Sequence, residues 1–316
     1  VAFPGKEILI GETGWPSAGR MREGALPSRA NQARVVSQIL GLAKLENFRV
    51  NLIEAYDQPW KRQLEGTVGG YWGLIDAKAR ELKYPAGVPI NNFPMWKQEM
   101  AAGMLLCILI FVVAMWTARR RPWAPRFGAW LGVAGSATAA GALLGVAVEK
   151  LLTESLGIGG WTQWGLLLAA GIAAPLLAAS VQMSGRPLPT FLEVIGPRDA
   201  RTTSRRMLLL GLTLGVTTII AVETALGLVF DPRYKDFPFA SLTMAVIPFW
   251  MLMVFNRPRS GTRPMAEAAF GGLLVIASAY IAFNEGIANW QSLWTCLVYV
   301  MLGITLWRAR AAQNPG

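Results

Sequence analysis

The sequence predicts a short α/β segment over residues 1–85 and an all-α membrane domain over residues 100–307. Two observations support this division. Seven apolar runs of 17 to 23 residues fill the last two thirds of the chain, and a strand–helix–strand pattern precedes them. Of all residues 53% are hydrophobic and only 16% are charged, with a mean hydropathy of +0.38. Soluble domains carry about 25% charged residues, so much of this chain is not expected to contact water.

The α/β segment contains one strand–helix–strand unit. Alternating side chains predict a strand at Glu7–Glu12 and another at Arg49–Tyr56, and Ser28 is the expected N-cap of the helix between them. The apolar stripe of that helix is predicted at Val36, Ile39, Leu40 and Ala43. This order is typical of a parallel sheet. Since two strands do not make a stable domain, we expect further strands from a longer polypeptide or from another chain.

A linker is predicted at residues 86–99, where prolines and glycine interrupt both the alternating pattern of a strand and the helical spacing of apolar residues. The apolar runs that follow are long enough to cross about 30 Å of hydrocarbon. We place the spans at about residues 100–117, 127–148, 162–183, 207–229, 239–255, 266–283 and 290–307.

Lys and Arg are divided unequally between the two sets of loops. The loops at 118–126, 184–206 and 256–265 and the tail at 308–316 hold 14 of them, and the intervening loops hold three. The positively charged side of a membrane protein is normally cytoplasmic. We therefore expect a multi-pass protein of the cell membrane, with the first 99 residues outside and the tail inside.

Histidine is absent, which excludes Ser-His-Asp and Cys-His catalysis and most zinc chemistry. Both cysteines, Cys107 and Cys296, lie inside apolar runs and are expected to be buried. Neither phosphate-binding nor dinucleotide-binding motifs occur, and there is no nucleic-acid-binding module. We expect no cofactor, no metal and no nucleic-acid partner.

The stretch most informative about chemistry is Ile8–Arg20, in which a strand ends at Glu12 and Thr-Gly-Trp-Pro-Ser follows. Glu12 shares a strand face with Ile8 and Ile10. In a (β/α)8 barrel, catalytic side chains lie at the carboxyl ends of the strands. A carboxylate beside an aromatic ring there suits glycoside chemistry, which uses paired carboxylates. The alternative is a surface carboxylate that closes a strand.

Three segments resemble glycoside hydrolase family 17, the β-1,3-glucanases. Gly11–Ser17 resembles the nucleophile motif of the family, Ile53–Lys61 resembles its last barrel strand and the following loop, and Tyr71–Asp76 with Lys83-Tyr84 resembles its closing segment. The resemblance covers residues 1–85 and implies that they are the C-terminal remnant of a TIM barrel. By architecture, the apolar part resembles the polytopic tail of bacterial membrane-bound members named endo-1,3-β-glucanase or β-(1,6)-glucan synthase.

This resemblance implies a retaining mechanism with Glu12 as the nucleophile. The side chains that it implies for substrate binding are Glu54, Tyr56, Trp60, Lys61, Trp15 and Trp72. For Glu54, a structural salt bridge with Lys61 or Arg62 is the alternative. For Trp15 and Trp72, the alternative to stacking on a sugar is packing in the core.

One part of the family pattern is missing. The acid/base glutamate of the family follows an asparagine on an earlier strand, whereas no Asn-Glu pair precedes Glu12, and Asn284-Glu285 lies at a predicted membrane boundary. We therefore expect these 316 residues to be inactive alone and expect activity from a longer polypeptide.

The expected function is a membrane-bound retaining glycoside hydrolase or transglycosylase acting on β-1,3-glucan outside the cytoplasm, with β-glucan and the lipid bilayer as partners. The alternative is a component of β-glucan synthesis or export, whose bundle binds polysaccharide or docks a glucan synthase. A third possibility is a non-catalytic domain that only binds. A continuous polar path through the bundle favours transport, and a dry interior favours a scaffold.

Two features of the spans bear on these alternatives. Glu223 lies inside a span, where an ionisable group indicates either function or a helix-pairing contact. Gly141 and Gly145 have the spacing that allows two helices to approach closely.

Overall fold

The computed structural model describes residues 5–85, 87–197, 201–202, 204–256 and 260–311. The chain divides into two compact units. The first contains residues 1–94 with Arg233–Asp236, and the second contains residues 95–232 and 237–316. Most of the secondary structure is helical, with several long apolar helices and one small sheet.

The first unit is built on two parallel strands, β1 (Leu9–Thr13) and β2 (Arg49–Leu52), which flank the helix α1 (Arg29–Leu45). The amide of Arg49 donates to the Ile8 carbonyl, and the amide of Ile53 donates to the Thr13 carbonyl, both at 2.9 Å. The predicted parallel strand–helix–strand order is therefore confirmed. Each strand is shorter than predicted, and β1 begins two residues later.

β2 ends at Leu52, although the alternating pattern predicts a strand as far as Tyr56. Beyond Ile53 the backbone pairs with residues 72–75 instead of with β1. The amide of Glu54 donates to the Trp72 carbonyl at 3.2 Å, and the amide of Leu74 donates to the Glu54 carbonyl at 2.9 Å. The predicted common strand face of Leu52, Glu54 and Tyr56 is thus wrong beyond the end of β2, because a loop replaces the neighbouring strand there.

α1 begins as predicted, because the Ser28 hydroxyl accepts a hydrogen bond from the Asn31 amide at 3.1 Å. Val36 and Ala43 of the predicted stripe are buried, but Leu40 is 47% exposed. Gln32, one turn before Val36, is fully buried in its place. The face of α1 that packs inward therefore includes the polar side chain of Gln32 and leaves out Leu40 of the apolar stripe.

Both faces of β1 are open. Ile8, Leu9 and Ile10 are 43%, 61% and 40% exposed, although apolar side chains at such positions normally pack against further structure. The short helical turn Pro59–Lys61 and the helix α2 (Arg62–Gly69) follow β2. The small sheet thus leaves the apolar side chains of Ile8, Leu9 and Ile10 exposed.

The second unit is a bundle of helices. Among the residues described, these are α3 (Trp96–Arg119), α4 (Phe127–Glu154), α5 (Gly157–Ser184), α6 (Phe191–Ile195), α7 (Arg205–Phe230), α8 (Phe239–Phe255), α9 (Met265–Glu285) and α10 (Trp290–Trp307). Apart from α6, each coincides with a predicted span. Six helices of the described chain are long and apolar enough to cross a membrane. The 17 residues of α8 extend only about 25 Å.

α3 begins at Trp96, so the last four residues of the predicted linker 86–99 are helical. The helix does not extend towards the N-terminus through Pro94, because a proline inside a helix removes a backbone hydrogen bond. Residues 96–99 contain no helix breaker, and Glu99 lies in the first turn, where a negative charge is favourable. The short helix α6 lies in the predicted inner loop 184–206. Thr190 and Glu193 cap it reciprocally, and its Phe191 amide donates to Glu267 of α9 at 2.7 Å.

Small residues bring neighbouring helices of this unit close together. A Cβ placed on Gly103 of α3 would overlap the carbonyl oxygen of Gly141 of α4, and one on Gly271 of α9 would lie 2.6 Å from the carbonyl oxygen of Gly303 of α10. The close packing predicted for Gly141 is confirmed. Backbones that approach this closely gain van der Waals contact along both helices.

We expect Gly103→Ala to lower the midpoint of thermal unfolding of the detergent-solubilised chain. The added methyl group meets the Gly141 backbone, and overpacking of this kind costs about 1–3 kcal/mol. Gly165→Ala in α5 is the matched control, because a Cβ there meets no atom within 4 Å. Alanine favours a helix over glycine, so this variant should match or exceed the parent. Equal midpoints for the two variants would contradict the packing argument.

Candidate active site

Glu12 lies one residue before the end of β1, and Glu54 lies two residues after β2. Because the strands are parallel, both carboxylates are at the same end of the sheet. Glu12 is exposed, as is the rest of the strand from Leu9 to Gly11. The structure therefore places both carboxylates at the carboxyl edge of two adjacent strands.

Glu54 forms an ion pair with Lys61, which the 59–61 turn brings back over the end of β2. The two side chains are only 10% and 24% exposed. This is the salt bridge that the sequence analysis left as an alternative for Glu54. The second oxygen of the carboxylate, Oε2, is buried and has no hydrogen-bond partner within the described residues. A buried carboxylate oxygen of this kind can accept a hydrogen bond from a ligand hydroxyl group.

Lys61 is the group that links the carboxylates electrostatically. Its hydrogen bond to Glu54, together with the negative charges of Glu54, Glu65 and Glu12, raises the pKa of the ammonium group above its usual value. Lys61 is therefore protonated at neutral pH and close enough to Glu12 and Glu54 to respond to both. Glu65, to which the sequence analysis assigned no role, belongs to the same cluster.

The aromatic side chains fall into two groups. Tyr56 and Trp60 are 53% and 61% exposed, and Lys61 lies 5.8 Å from the centre of the Trp60 ring. Trp15 and Trp72 line a cavity of about 590 Å³ within the first unit. Trp15 is fixed there by a 3.1 Å hydrogen bond from its indole nitrogen to the Leu26 carbonyl. Glu65 also lines this cavity, whereas Glu12 and Glu54 do not.

A second ion pair, which the sequence analysis missed, holds the turn after Glu12 in place. Lys83 donates to the Asp57 carboxylate and to the Ser17 hydroxyl, both at 2.6 Å, and to the Tyr71 carbonyl at 3.3 Å. Asp57 also accepts from the Gly73 amide at 2.9 Å, and the Ser17 amide donates to the Tyr71 carbonyl at 2.9 Å. Asp57 lies within Ile53–Lys61 and Lys83 within Lys83-Tyr84, which are two of the segments that resemble the family. Their presence there is the sequence signal that could have indicated this pair.

Burial dominates the ionisation of this pair. The Asp57 and Lys83 side chains are 4% and 2% exposed. Loss of solvation raises the pKa of Asp57 despite its hydrogen bond from Lys83, and it lowers the pKa of Lys83 despite the nearby negative charge. Both charges therefore depend on each other rather than on water.

Gln32 of α1 fixes the same loop from the other side. Its side-chain nitrogen donates to the Trp72 and Gly73 carbonyls at 3.0 and 3.1 Å. This explains why a polar side chain occupies the inner face of α1. The segment that carries Trp72 is thus held by α1, by the backbone of Glu54 and by Asp57.

The N-terminal region is similar to known glycoside hydrolases. Residues 1–73 match the family model of the BtgE/BtgC glycoside hydrolase domain. The N-terminal region therefore resembles family 17 glucosidases. No solved structure matches the chain at a comparable level of significance.

Three relatives illustrate the extent of the match. "Probable family 17 glucosidase SCW10" of Saccharomyces cerevisiae is 35% identical over 72 residues, which are 23% of this chain and 18% of that protein. The glucan 1,3-beta-glucosidase of Candida albicans is 31% identical over 87 residues, 27% of this chain and 28% of that protein. That of S. cerevisiae is 35% identical over 79 residues, 24% of each. The chain thus spans less than a third of the length of these relatives.

We expect Lys83→Met to loosen the turn after β1. It leaves the buried Asp57 carboxylate without an oppositely charged partner, which typically costs about 3–5 kcal/mol, and it removes a donor to Ser17. Amide hydrogen exchange of the intact chain, measured by mass spectrometry, should become faster at residues 13–17 and 71–75.

Two variants control this experiment. Lys78→Met removes an exposed lysine of the same unit and should leave exchange unchanged. Asp57→Leu combined with Lys83→Met removes both buried charges and should restore part of the protection. Exchange in Lys83→Met as slow as in the parent would show that the ion pair does not hold the turn.

Proposed function

We propose that residues 5–85 supply the nucleophile end of a retaining β-1,3-glucan hydrolase or transglycosylase. The observation that carries this proposal is the placement of Glu12 and Glu54 at the same end of parallel strands, with Lys61 beside both. The match of residues 1–73 to a glycoside hydrolase domain supports the same chemistry. The relatives named as glucan 1,3-beta-glucosidases support β-1,3-glucan as the substrate.

In this proposal the Glu12 carboxylate attacks the anomeric carbon, and the bond to the leaving sugar breaks as the covalent glycosyl-enzyme forms. A general acid protonates the leaving oxygen, and polypeptide beyond these 316 residues supplies it. Water then releases the glycosyl group in hydrolysis, or a sugar hydroxyl releases it in transglycosylation. Glu54, whose Oε2 is buried without a partner among the described residues, accepts a hydrogen bond from a substrate hydroxyl, and Lys61 keeps its charge balanced.

The bundle in this proposal anchors the catalytic unit in the cell membrane and leaves it on the outer side. The lengths and apolar composition of six helices support insertion, and the excess of Lys and Arg in alternate loops supports this orientation. α8, at 17 residues, is the fifth of the seven spans in chain order, and the residues of its first half, Phe239–Val246, are all buried. A short helix that is covered by its neighbours need not match the bilayer thickness.

The interior of the bundle favours an anchor over a transport path. Leu210, Leu214, Leu242 and Phe249 are fully buried. The buried hydroxyl groups mostly bond to carbonyls of their own helices, as Thr218 does to Leu214 at 2.8 Å. Glu223 faces outward and pairs with Gln163 of α5, which favours the helix-pairing interpretation.

We expect Glu12→Gln to abolish turnover of laminari-oligosaccharides by a polypeptide in which a complete set of barrel strands precedes this chain. Removal of a covalent nucleophile typically lowers kcat by at least about 10³-fold. Glu7→Gln is the control, since Glu7 is exposed and pairs with Arg49 of the neighbouring strand. The 316-residue chain alone should release no product.

A chemical rescue tests the role of Glu12 more directly. In Glu12→Ala, added azide should restore turnover of an aryl β-glucoside with a good leaving group and yield the α-glycosyl azide, because the anion enters where the carboxylate stood. Equal turnover by Glu12→Gln and the parent, or rescue without the inverted product, would end the nucleophile assignment. Products longer than the input would assign transglycosylation.

Membrane orientation is tested with single cysteines in a background of Cys107→Ala and Cys296→Ala. Ile287→Cys, in the loop before α10, should react with a membrane-impermeant maleimide in intact cells. Trp123→Cys, in the loop before α4, should react only after permeabilisation. Both wild-type side chains are exposed, so a reversed pattern would overturn the orientation rather than report burial.

A further inference from the structure

A cationic pocket lies in the second unit where α3 and α5 end and α7 begins. Its volume is about 360 Å³. The arginines that line it are Arg121, Arg186, Arg205 and Arg206. Three serines, Ser180, Ser184 and Ser204, add hydroxyl groups to the same lining.

Local structure brings these arginines together. Arg121 follows the last turn of α3, and its guanidinium donates to the Ser184 hydroxyl of α5 at 2.6 Å. Gly185 ends α5 in the left-handed conformation, with φ of 63°, which turns the chain and places Arg186 at the pocket. Arg205 and Arg206 are the first two residues of α7. Four positive groups from three segments therefore converge on one volume.

No carboxylate in the described part of the chain lies within ion-pair distance of these four arginines. The first turn of α7 contains no acidic residue, and Arg205 and Arg206 place positive charge at the positive end of the helix dipole. Both features are unfavourable in isolation. A bound anion would offset both, because it would pair with the arginines and also interact favourably with the first turn of α7.

An apolar groove of about 420 Å³ adjoins the cationic pocket and shares Ser180 and Arg206 with it. The groove runs along α3 and α5 between Val112, Val113, Trp116, Leu176 and Leu177. Trp116 is 59% exposed, and the Arg120 guanidinium lies 4.8 Å from the centre of one of its rings. Tryptophan with a neighbouring arginine is typical of the level of lipid headgroups.

We propose that the pocket and the groove together bind an anionic glycerophospholipid. The phosphate lies among the four arginines, and an acyl chain lies in the groove along α3 and α5. Basic pockets between helices at the cytoplasmic side of a bundle suit such headgroups. A free phosphate would satisfy the arginines but would leave the groove empty, so the amphipathic pairing of the two cavities selects a lipid. This inference rests on the proposed membrane insertion of the bundle.

The test uses the full 316-residue chain, purified in detergent and delipidated, with native mass spectrometry of bound lipid. Phosphatidylglycerol should bind at least about tenfold more tightly than phosphatidylcholine. Arg121→Gln with Arg206→Gln should abolish this preference. Arg119→Gln with Arg308→Gln, which removes the same charge from arginines outside the pocket, should keep it.

A second pair of variants tests the groove. Val112→Trp fills the groove and should weaken phosphatidylglycerol binding, whereas Ile219→Trp, on the outer surface of α7, should not. Equal binding of the two lipids, or equal behaviour of the two double variants, would overturn the proposal. Complete displacement of the lipid by millimolar inorganic phosphate, together with unchanged lipid binding in Val112→Trp, would overturn it as well. Flotation of the chain with phosphatidylcholine vesicles tests membrane insertion separately, so failure of one is distinguishable from failure of the other.

Discussion

The buried ion pair between Asp57 and Lys83 is the contact on which the geometry of the first unit depends. Lys83 reaches Ser17 in the turn after β1, Asp57 beyond the end of β2 and the carbonyl of Tyr71 in the following loop. These are the three segments that carry Glu12, Glu54 and Trp72. Neither charge is solvated by bulk water, since both side chains are almost fully buried. The pair is therefore stable only when all three segments are in place, which couples the positions of the two carboxylates.

Glu54 and Lys61 form a second pair of different character. It is more accessible, it lies at the strand ends, and one carboxylate oxygen remains without a partner among the described residues. A pair that served structure alone would be expected to satisfy both oxygens. The buried Oε2 of Glu54, which has no partner among the described residues, therefore supports the proposed ligand-binding role. The uncovered faces of Ile8, Leu9 and Ile10 fit the same picture, in which further strands complete the sheet.

The helical unit is organised by two independent constraints. Close approach at Gly103 with Gly141 and at Gly271 with Gly303 determines which helices are neighbours. The second is the concentration of arginine where α3 and α5 end and α7 begins. The first constraint gives closely packed helices, which suits the proposed anchor. The second accompanies a cationic pocket beside an apolar groove, and the proposed lipid site rests on this pairing.

The sequence alone determined the apolar helices, the parallel strand–helix–strand unit and the family resemblance, because these depend on periodicity and on short contiguous motifs. Only the tertiary structure decided where β2 ends, since the loop at 72–75 takes over its hydrogen bonds. It also decided that Gln32 rather than Leu40 is buried, because the carbonyls of Trp72 and Gly73 require a donor there. The partnership of Asp57 with Lys83, like the convergence of four arginines, joins residues far apart in the chain. No local pattern carries such information, because it arises only when the segments pack.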